Sequence, residues 1–315
     1  MKKIITTLSS MALCCSMALI NTACSNSHAT DFIQDAVNGN ISSAQAKSVT
    51  KNYTFGTLKG LSASTGIEVY YTASASGKTQ VKAVISQKLA PYFEADMNGG
   101  TLKLSFSKNI SVQNEEVKVY ITGAAPQSVS LSSGADLHMQ NDLKIDGNFS
   151  INLSSGADAE INGISCTSLS ANLSSGADID FDRISCTDFR LTNSSGADAD
   201  IDRIKANTIT VSASSGADAT LKGINCKQIK ASASSGADCK LEGKCSGTAT
   251  LSASSAANIS AQDLSAATFH INKNSEGDIS YNKSAKVVKT NKKKKTSINT
   301  GHDSDIRSGS DTSAM

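Results

Sequence analysis

The sequence predicts an all-β solenoid, a parallel β-helix with coils of about 20 residues, and three observations predict it. The pentapeptide Ser-Ser-Gly-Ala-Asp recurs six times, with glycines at Gly134, Gly156, Gly176, Gly196, Gly216 and Gly236. The first interval is 22 residues and the other four are 20, the beat of a chain that builds and stacks one coil at a time. Between copies, apolar and polar residues alternate with the period of two expected of half-buried strands. Finally, 39% of the 315 residues are hydrophobic, yet Trp is absent and only 4% are aromatic. Large aromatic side chains fill most globular cores. Here Ala, Leu, Ile and Val must fill a narrow interior instead.

The first elements in chain order are export signals. Lys2 and Lys3 precede an apolar stretch from Ile4 to Ile20, and residues 1–23 read as a signal peptide. The stretch is short and weakly apolar for a transmembrane helix. Thr22-Ala23-Cys24 has the form of a bacterial lipobox, with Asn21 where Leu is preferred, so Cys24 is the expected lipidation site. Ser27-His28-Ala29 offers a rival cleavage site for a plain secreted protein. The small polar residues of 24–48 suit a tether. The expected location is the outer membrane, facing either side, with membrane contact through the lipid anchor alone; otherwise the protein is secreted.

Residues 49–130 read as a strand-rich part outside the strict period. Ile67, Val69 and Tyr71 alternate, as do Leu102, Leu104 and Phe106, and Val117, Val119 and Ile121. Asn98-Gly99-Gly100 marks a tight turn between strands. Ser86 to Phe93 is a loop or one helical turn.

Residues 131–282 form the regular array. In the unit Ser168 to Thr187, Leu169, Ala171 and Leu173 face one way and Ser175-Gly176-Ala177 makes a corner. Ile179 and Phe181 form a second side, Asp182-Arg183 turns again, and Ile184 with Cys186 makes a short third side. Equivalent positions repeat as Ile161, Phe181, Ile201, Leu221 and Leu241, and as Ile164, Ile184, Ile204 and Ile224. Stacked in register, each column becomes an apolar ladder. A single coil cannot bury its inner face, so several neighbours are required. The corner glycines are expected to supply positive φ. A seventh copy, Ser254-Ser255-Ala256-Ala257-Asn258, lacks the glycine, so either that corner changes type or the glycine serves close packing. An eighth is Ser275-Glu276-Gly277-Asp278. Residues 283–315, with Lys286, Lys289 and Lys292 to Lys295, cannot bury a core and read as a disordered tail.

Candidate chemistry lies in the columns. Asp136, Asp158, Asp178, Asp198, Asp218 and Asp238 fall about 4.8 Å apart if the coils are in register. Two such charges repel by roughly 0.9 kcal/mol even in water. Backbone N–H groups at the turn are one compensation, and a row of Ca²⁺ ions is the other. One carboxylate per coil is thin for calcium, which leaves turn capping as the simpler reading and no obligatory cofactor. The serines from Ser154 to Ser234 form hydroxyl rows that could meet a polysaccharide or satisfy one another. Of the eight cysteines, Cys166, Cys186, Cys226, Cys239 and Cys245 remain in the body. An exported chain meets an oxidising compartment. Cys166 and Cys186 occupy one column within disulfide reach, with buried free thiols as the alternative. No His stands near these columns to complete a zinc site.

Catalysis has little support: neither His138 nor His270 recurs with a Ser or Cys partner. Asp182-Arg183 and Asp202-Arg203 are repeat-equivalent and read as surface ion pairs. A net charge of +2 argues against a nucleic-acid-binding body.

The order of segments resembles a known family. Ser64 to Val69, Val81-Lys82-Ala83, Leu89 to Phe93, Asn98 to Leu104, the Ser-Gly-Ala-Asp coils and Gly223-Ile224-Asn225 together resemble the auto-transporter adhesin head domain, or head GIN domain, of Bacteroidetes-type lipoproteins. The resemblance spans about residues 49 to 282. It implies a right-handed β-helix and export to the envelope, and it carries no established catalytic residues. The sequence thus points to a non-enzymatic, adhesin-like binding or structural module whose partner is a glycan or an envelope or host protein. A polysaccharide-active β-helix enzyme and a self-assembling envelope protein are the alternatives.

Overall fold

The computed structural model describes residues 40–41, 47–107, 110–112 and 117–289. Every regular element among them is a β-strand, and together they wind into a solenoid of about eight turns. The signal peptide, Cys24 and Lys292 to Lys295 lie outside the described residues.

Each regular coil has three sides, and the sequence period sets them. The first side stacks Ser168–Ser174, Asp188–Ser194 and Thr208–Ser214 in parallel, with Leu169 opposite Phe189 and Phe189 opposite Ile209. The second side aligns Asp158 with Asp178, Asp178 with Asp198, and Asp198 with Asp218. The short third side aligns Ile164, Ile184, Ile204 and Ile224. Inward positions along the array are nearly sealed: Ile161, Phe181, Ile201, Leu221 and Leu241 are at most 2% exposed. Full burial of one such side chain is worth about 1.5–3 kcal/mol, and it is realised only when the next coil is laid down.

The corner between the first two sides is a β-turn of unusual hand. In Ser174-Ser175-Gly176-Ala177 both central residues have positive φ, 57° at Ser175 and 66° at Gly176. In the equivalent corner the Ala217 N–H donates to the Ser214 carbonyl at 3.3 Å, closing a type I′ turn. Successive corners also bond to each other. The Gly156 N–H donates to the Ser175 carbonyl, and the Asp178 N–H to the Ala157 carbonyl, both at 3.1 Å. Backbone bonds thus close the corner, and the Asp158, Asp178 and Asp218 carboxylates each take the backbone N–H of the next coil's aspartate. The degraded copy keeps the same turn: Ser255 has φ 55° and Ala256 φ 60°. Neither sequence alternative for that corner holds, because Ala256 simply adopts the left-handed conformation. One further corner escapes the repeat count. Thr65 (φ 64°) and Gly66 (φ 65°) form it, and the Gly66 N–H donates to the Ser133 carbonyl at 3.1 Å.

The N-terminal part does not stack in chain order. Thr101–Phe106 pairs with Gly60–Ser64, which in turn pairs with Ser128–Ser132. On the second side Val117–Gly123 pairs with Ile67–Ala73, which pairs with Asp136–Met139. The coil formed by 101–123 therefore lies outside the coil formed by 60–73, and the chain steps back over its first coil to begin the array. Tyr71, fully buried, secures the step by donating its hydroxyl to the Gly123 carbonyl at 2.9 Å. Antiparallel strands finish this end: Ser48–Phe55 pairs with Thr79–Ser86, which pairs with Val117–Gly123. Gly99 and Gly100, both at positive φ, join Phe93–Asn98 to Thr101–Phe106 as the expected two-residue hairpin. Tyr53, Phe55, Phe93 and Phe106 pack in mutual ring contact there. At the other end Lys286–Lys289 pairs with Thr268–Ile271, so strand pairing continues past residue 282.

Candidate functional site

The second side presents three outward columns to solvent. One runs from Lys118 through Glu68, Asp136, Asp158, Asp178, Asp198, Asp218 and Asp238 to Asn258 and Asp278. The aspartates meet in register as the period requires. Burial first, and then neighbouring carboxylates, raise Asp136 above the usual carboxylate range. Burial is also the leading cause at Asp158, Asp178 and Asp218. The backbone N–H of the next coil's aspartate offsets part of this at each of those three. Among the described residues no three His, Cys, Asp or Glu side chains converge as metal ligands.

The adjacent column changes character along the solenoid. Tyr120 aligns with Tyr70, Tyr70 with His138, and His138 with Glu160, after which Asp180, Asp200, Thr220 and Lys240 follow. The three rings stack along the coil axis. The Tyr70 and Tyr120 centroids lie 5.2 Å apart at 15°, and those of Tyr70 and His138 lie 4.9 Å apart at 24°. Coil spacing of about 4.8 Å sets this distance. Carboxylates flank the stack. Tyr70 donates its hydroxyl to Glu68. His138 Nε2 lies 3.5 Å from Glu68 and Nδ1 lies 2.9 Å from Glu160. Lys118 Nζ lies 3.8 Å from Glu68. Tyr120 is 42% exposed, a high value for a large ring. The result is an aromatic ridge edged by hydrogen-bond acceptors and one cation. Such a surface offers ring edges together with carboxylates and a cation to a hydroxyl-bearing ligand.

Repeat counting missed this ridge because its members come from three coils, two of them outside the strict period. The legible signal was the change of residue type at His138, where the following coils carry Glu160, Asp180 and Asp200. The Ser64-Thr65-Gly66 corner would have set the register of Glu68 and Tyr70.

The other candidates lie elsewhere. Asn152 and Asn172 form a ladder rung, Nδ2 to Oδ1 at 3.0 Å, in a shallow groove of about 290 Å³ with Ser154, Ser174 and Ser194 on the first side. The third side carries a groove of about 420 Å³ containing Arg183 and Arg203. Arg183 and Asp202 do enter surface ion pairs, though with residues of other coils: Asp202 lies 3.1 Å from Lys222. Arg183 bonds Asp142 at 2.7 Å, two coils away. Gly163 between them makes this possible, since a Cβ there would sit 2.6 Å from an Asp142 oxygen. At the C-terminal mouth a cleft of about 560 Å³ is lined by Ile271, Ile279, Tyr281 and three lysines. Cys166 and Cys186, read as buried thiols or as a bridge, stand as free thiols, as do Cys226, Cys239 and Cys245. Parallel in-register side chains sit at the coil spacing of about 4.8 Å, wider than the usual Cβ separation of a disulfide, about 3.8 Å.

Fold and side chains together define a surface-presenting β-solenoid. The sequence profile described as "Putative auto-transporter adhesin, head GIN domain" matches residues 57–221 and 183–293, and the chain belongs to this family. The family is named for adhesion rather than for an enzyme activity, which places the chain among exported, envelope-associated proteins. Three crystal structures share the fold. A putative adhesin from Bacteroides fragilis NCTC 9343 has a TM-score of 0.58 and 19% identity, covering 77% of this chain and 97% of that one. One from Parabacteroides merdae ATCC 43184 gives 0.59 and 16%, covering 78% and 97%. One from Parabacteroides distasonis ATCC 8503 gives 0.61 and 14%, covering 78% and 98%. No curated protein matches the chain.

Proposed function

We propose that this protein is an adhesin-like binding module of the cell envelope that engages a glycan through the Tyr120–Tyr70–His138 ridge. The observation that carries this reading is the ring stack, with Tyr120 exposed and Tyr70 and His138 half-buried, edged by Glu68, Asp136 and Glu160, on a side whose other coils are polar. The ridge then sits at the tethered N-terminal end of the solenoid, and the regular array extends away from it. Lipidation of Cys24 anchors the chain at the outer membrane through a short polar tether. An acyl mass on Cys24 in intact-protein mass spectrometry tests the anchor.

A glycan array tests the binding. Wild-type protein binds a restricted set of glycans, and the Tyr70→Ala/His138→Ala variant loses them, while Asn172→Ala on the first side keeps them. Equal binding by both variants would move the site to another side. Failure on every glycan, with concentration-dependent self-association instead, would favour the assembly reading.

A further inference from the structure

The column expected to hold the Cys166–Cys186 bridge continues through Ala206 to Cys226, Cys245 and Ala266. Cys226 and Cys245 face each other in register, 3% and 1% exposed. Two features separate this pair from the other thiols. The first is spacing. Cys226 and Cys245 are 19 residues apart where the preceding steps of the column, Cys166 to Cys186 to Ala206 to Cys226, are 20 each, and pairing shifts register on both sides of Cys226. The second is the approach of the two coils. Gly243 and Gly247 flank Cys245, and neither position has room for a side chain. A Cβ on Gly243 would lie 2.4 Å from the nitrogen and from the oxygen of Ile224, and one on Gly247 would lie 2.5 Å from the Lys227 oxygen. The backbone of the neighbouring coil thus lies directly against both glycines that flank the cysteine. The two thiols share a hydrogen bond, and Cys245 Sγ also lies 3.5 Å from the Lys227 carbonyl.

We infer that Cys226 and Cys245 are an oxidation site that closes into a disulfide between adjacent coils. The two thiols are chemically unequal, which suits thiol–disulfide exchange. The Cys226 S–H, followed by the Gly247 and Ile229 N–H groups, brings Cys245 down to about 7 against the opposing effect of burial. Cys226 moves up, through the same hydrogen bond and then burial. Burial instead pushes Cys166 up to about 11 and Cys186 and Cys239 up to about 12. The thiolate is the attacking species. The oxidant is a small-molecule disulfide, met while the Cys245 strand is still the open edge of the growing solenoid. The Cys245 thiolate attacks one sulfur of the oxidant, forming a mixed disulfide and releasing one small thiolate. Cys226 then gives up its proton and attacks the Cys245 sulfur. The intercoil S–S bond forms and the second small thiolate leaves. Two protein thiols are oxidised and one small disulfide is reduced to two thiols.

The test is refolding of the protein in a glutathione redox buffer, then alkylation and non-reducing peptide mapping. The expected result is one linkage, Cys226 to Cys245, with Cys166, Cys186 and Cys239 alkylated. A Cys166–Cys186 linkage, or alkylation of all five thiols, would overturn the inference. A thermal melt of the oxidised protein, with and without reductant, gives a second reading against Cys226→Ala. That variant repeats the residue of the natural Ala206 and Ala266 coils, so its packing has a precedent within the chain. Reductant lowers the wild-type Tm and leaves that of Cys226→Ala unchanged; an equal response of the two proteins would contradict the linkage.

Discussion

At Ala256 the chain holds a φ of 60° that seven other corners give to glycine. An L-residue in this conformation costs about 1–2 kcal/mol. Ala256→Gly is therefore expected to stabilise the protein by about 1 kcal/mol and raise its Tm; an unchanged or lower Tm would mean that the corner carries no strain. A second residue-scale cost lies in the core. Asn193 is fully buried in a column that otherwise holds Leu153, Leu173 and Ala213. Its Nδ2 donates to the Ala197 and Asp218 carbonyls at 2.7 and 2.6 Å, but its Oδ1 has no partner among the described residues. An unsatisfied buried acceptor costs about 1–3 kcal/mol. The Ala197 carbonyl keeps the Asp218 N–H after the amide is removed. Asn193→Leu should thus raise the Tm, and a fall would show that the two amide hydrogen bonds outweigh the orphaned oxygen. The corner glycines were legible because six copies repeat them. The serine before each glycine was not read as left-handed, since serine rarely takes positive φ and only the structure shows it doing so in every copy.

At the scale of the element, the acidic columns oppose the stack that forms them. Asp136, Asp158, Asp178, Asp180 and Asp218 are raised above their ordinary value near 3.8, by burial first at each and also by neighbouring carboxylates. Raised values mean that the folded state binds protons more readily than the unfolded chain. Stability is therefore lost as pH rises through these values and gained as acid protonates the columns. Asp278, lowered by its bond to Lys273, works in the opposite direction as a single exposed group. The Tm is expected to rise as pH falls from 7 toward the raised carboxylate values, and Asp178→Asn should raise it at pH 7 and flatten the profile. A Tm that falls steadily on acidification would contradict this reading. Coil contact is tested by a pair of glycines. Gly243→Ala meets backbone at 2.4 Å, whereas a Cβ on Gly156 meets nothing within 4 Å, although both have positive φ. Gly243→Ala should lower the Tm well beyond Gly156→Ala. The close approach at Gly243 was hidden in the sequence, because the 19-residue coil reads as a small lapse in period and not as a register shift that turns the glycine onto its neighbour's backbone.

Across the whole molecule, the array was legible and the N-terminal part was not. Fixed spacing places Asp158 to Asp278 in one line because each coil repeats its neighbour. That reasoning assumes stacking in chain order, and the chain breaks the assumption when coil 101–123 is laid outside coil 60–73. The broken order is what brings Tyr120 beside Tyr70 and Tyr70 beside His138, residues that no single period connects. The proposed binding ridge sits where the repeat fails. Hydrogen exchange of the protein, free and with a glycan chosen from the array, tests this most directly. The account predicts that added protection is confined to the strands holding Tyr70, Tyr120, His138 and Glu160. Protection centred on the regular coils from Asp178 to Asp278, with those strands unchanged, would contradict it.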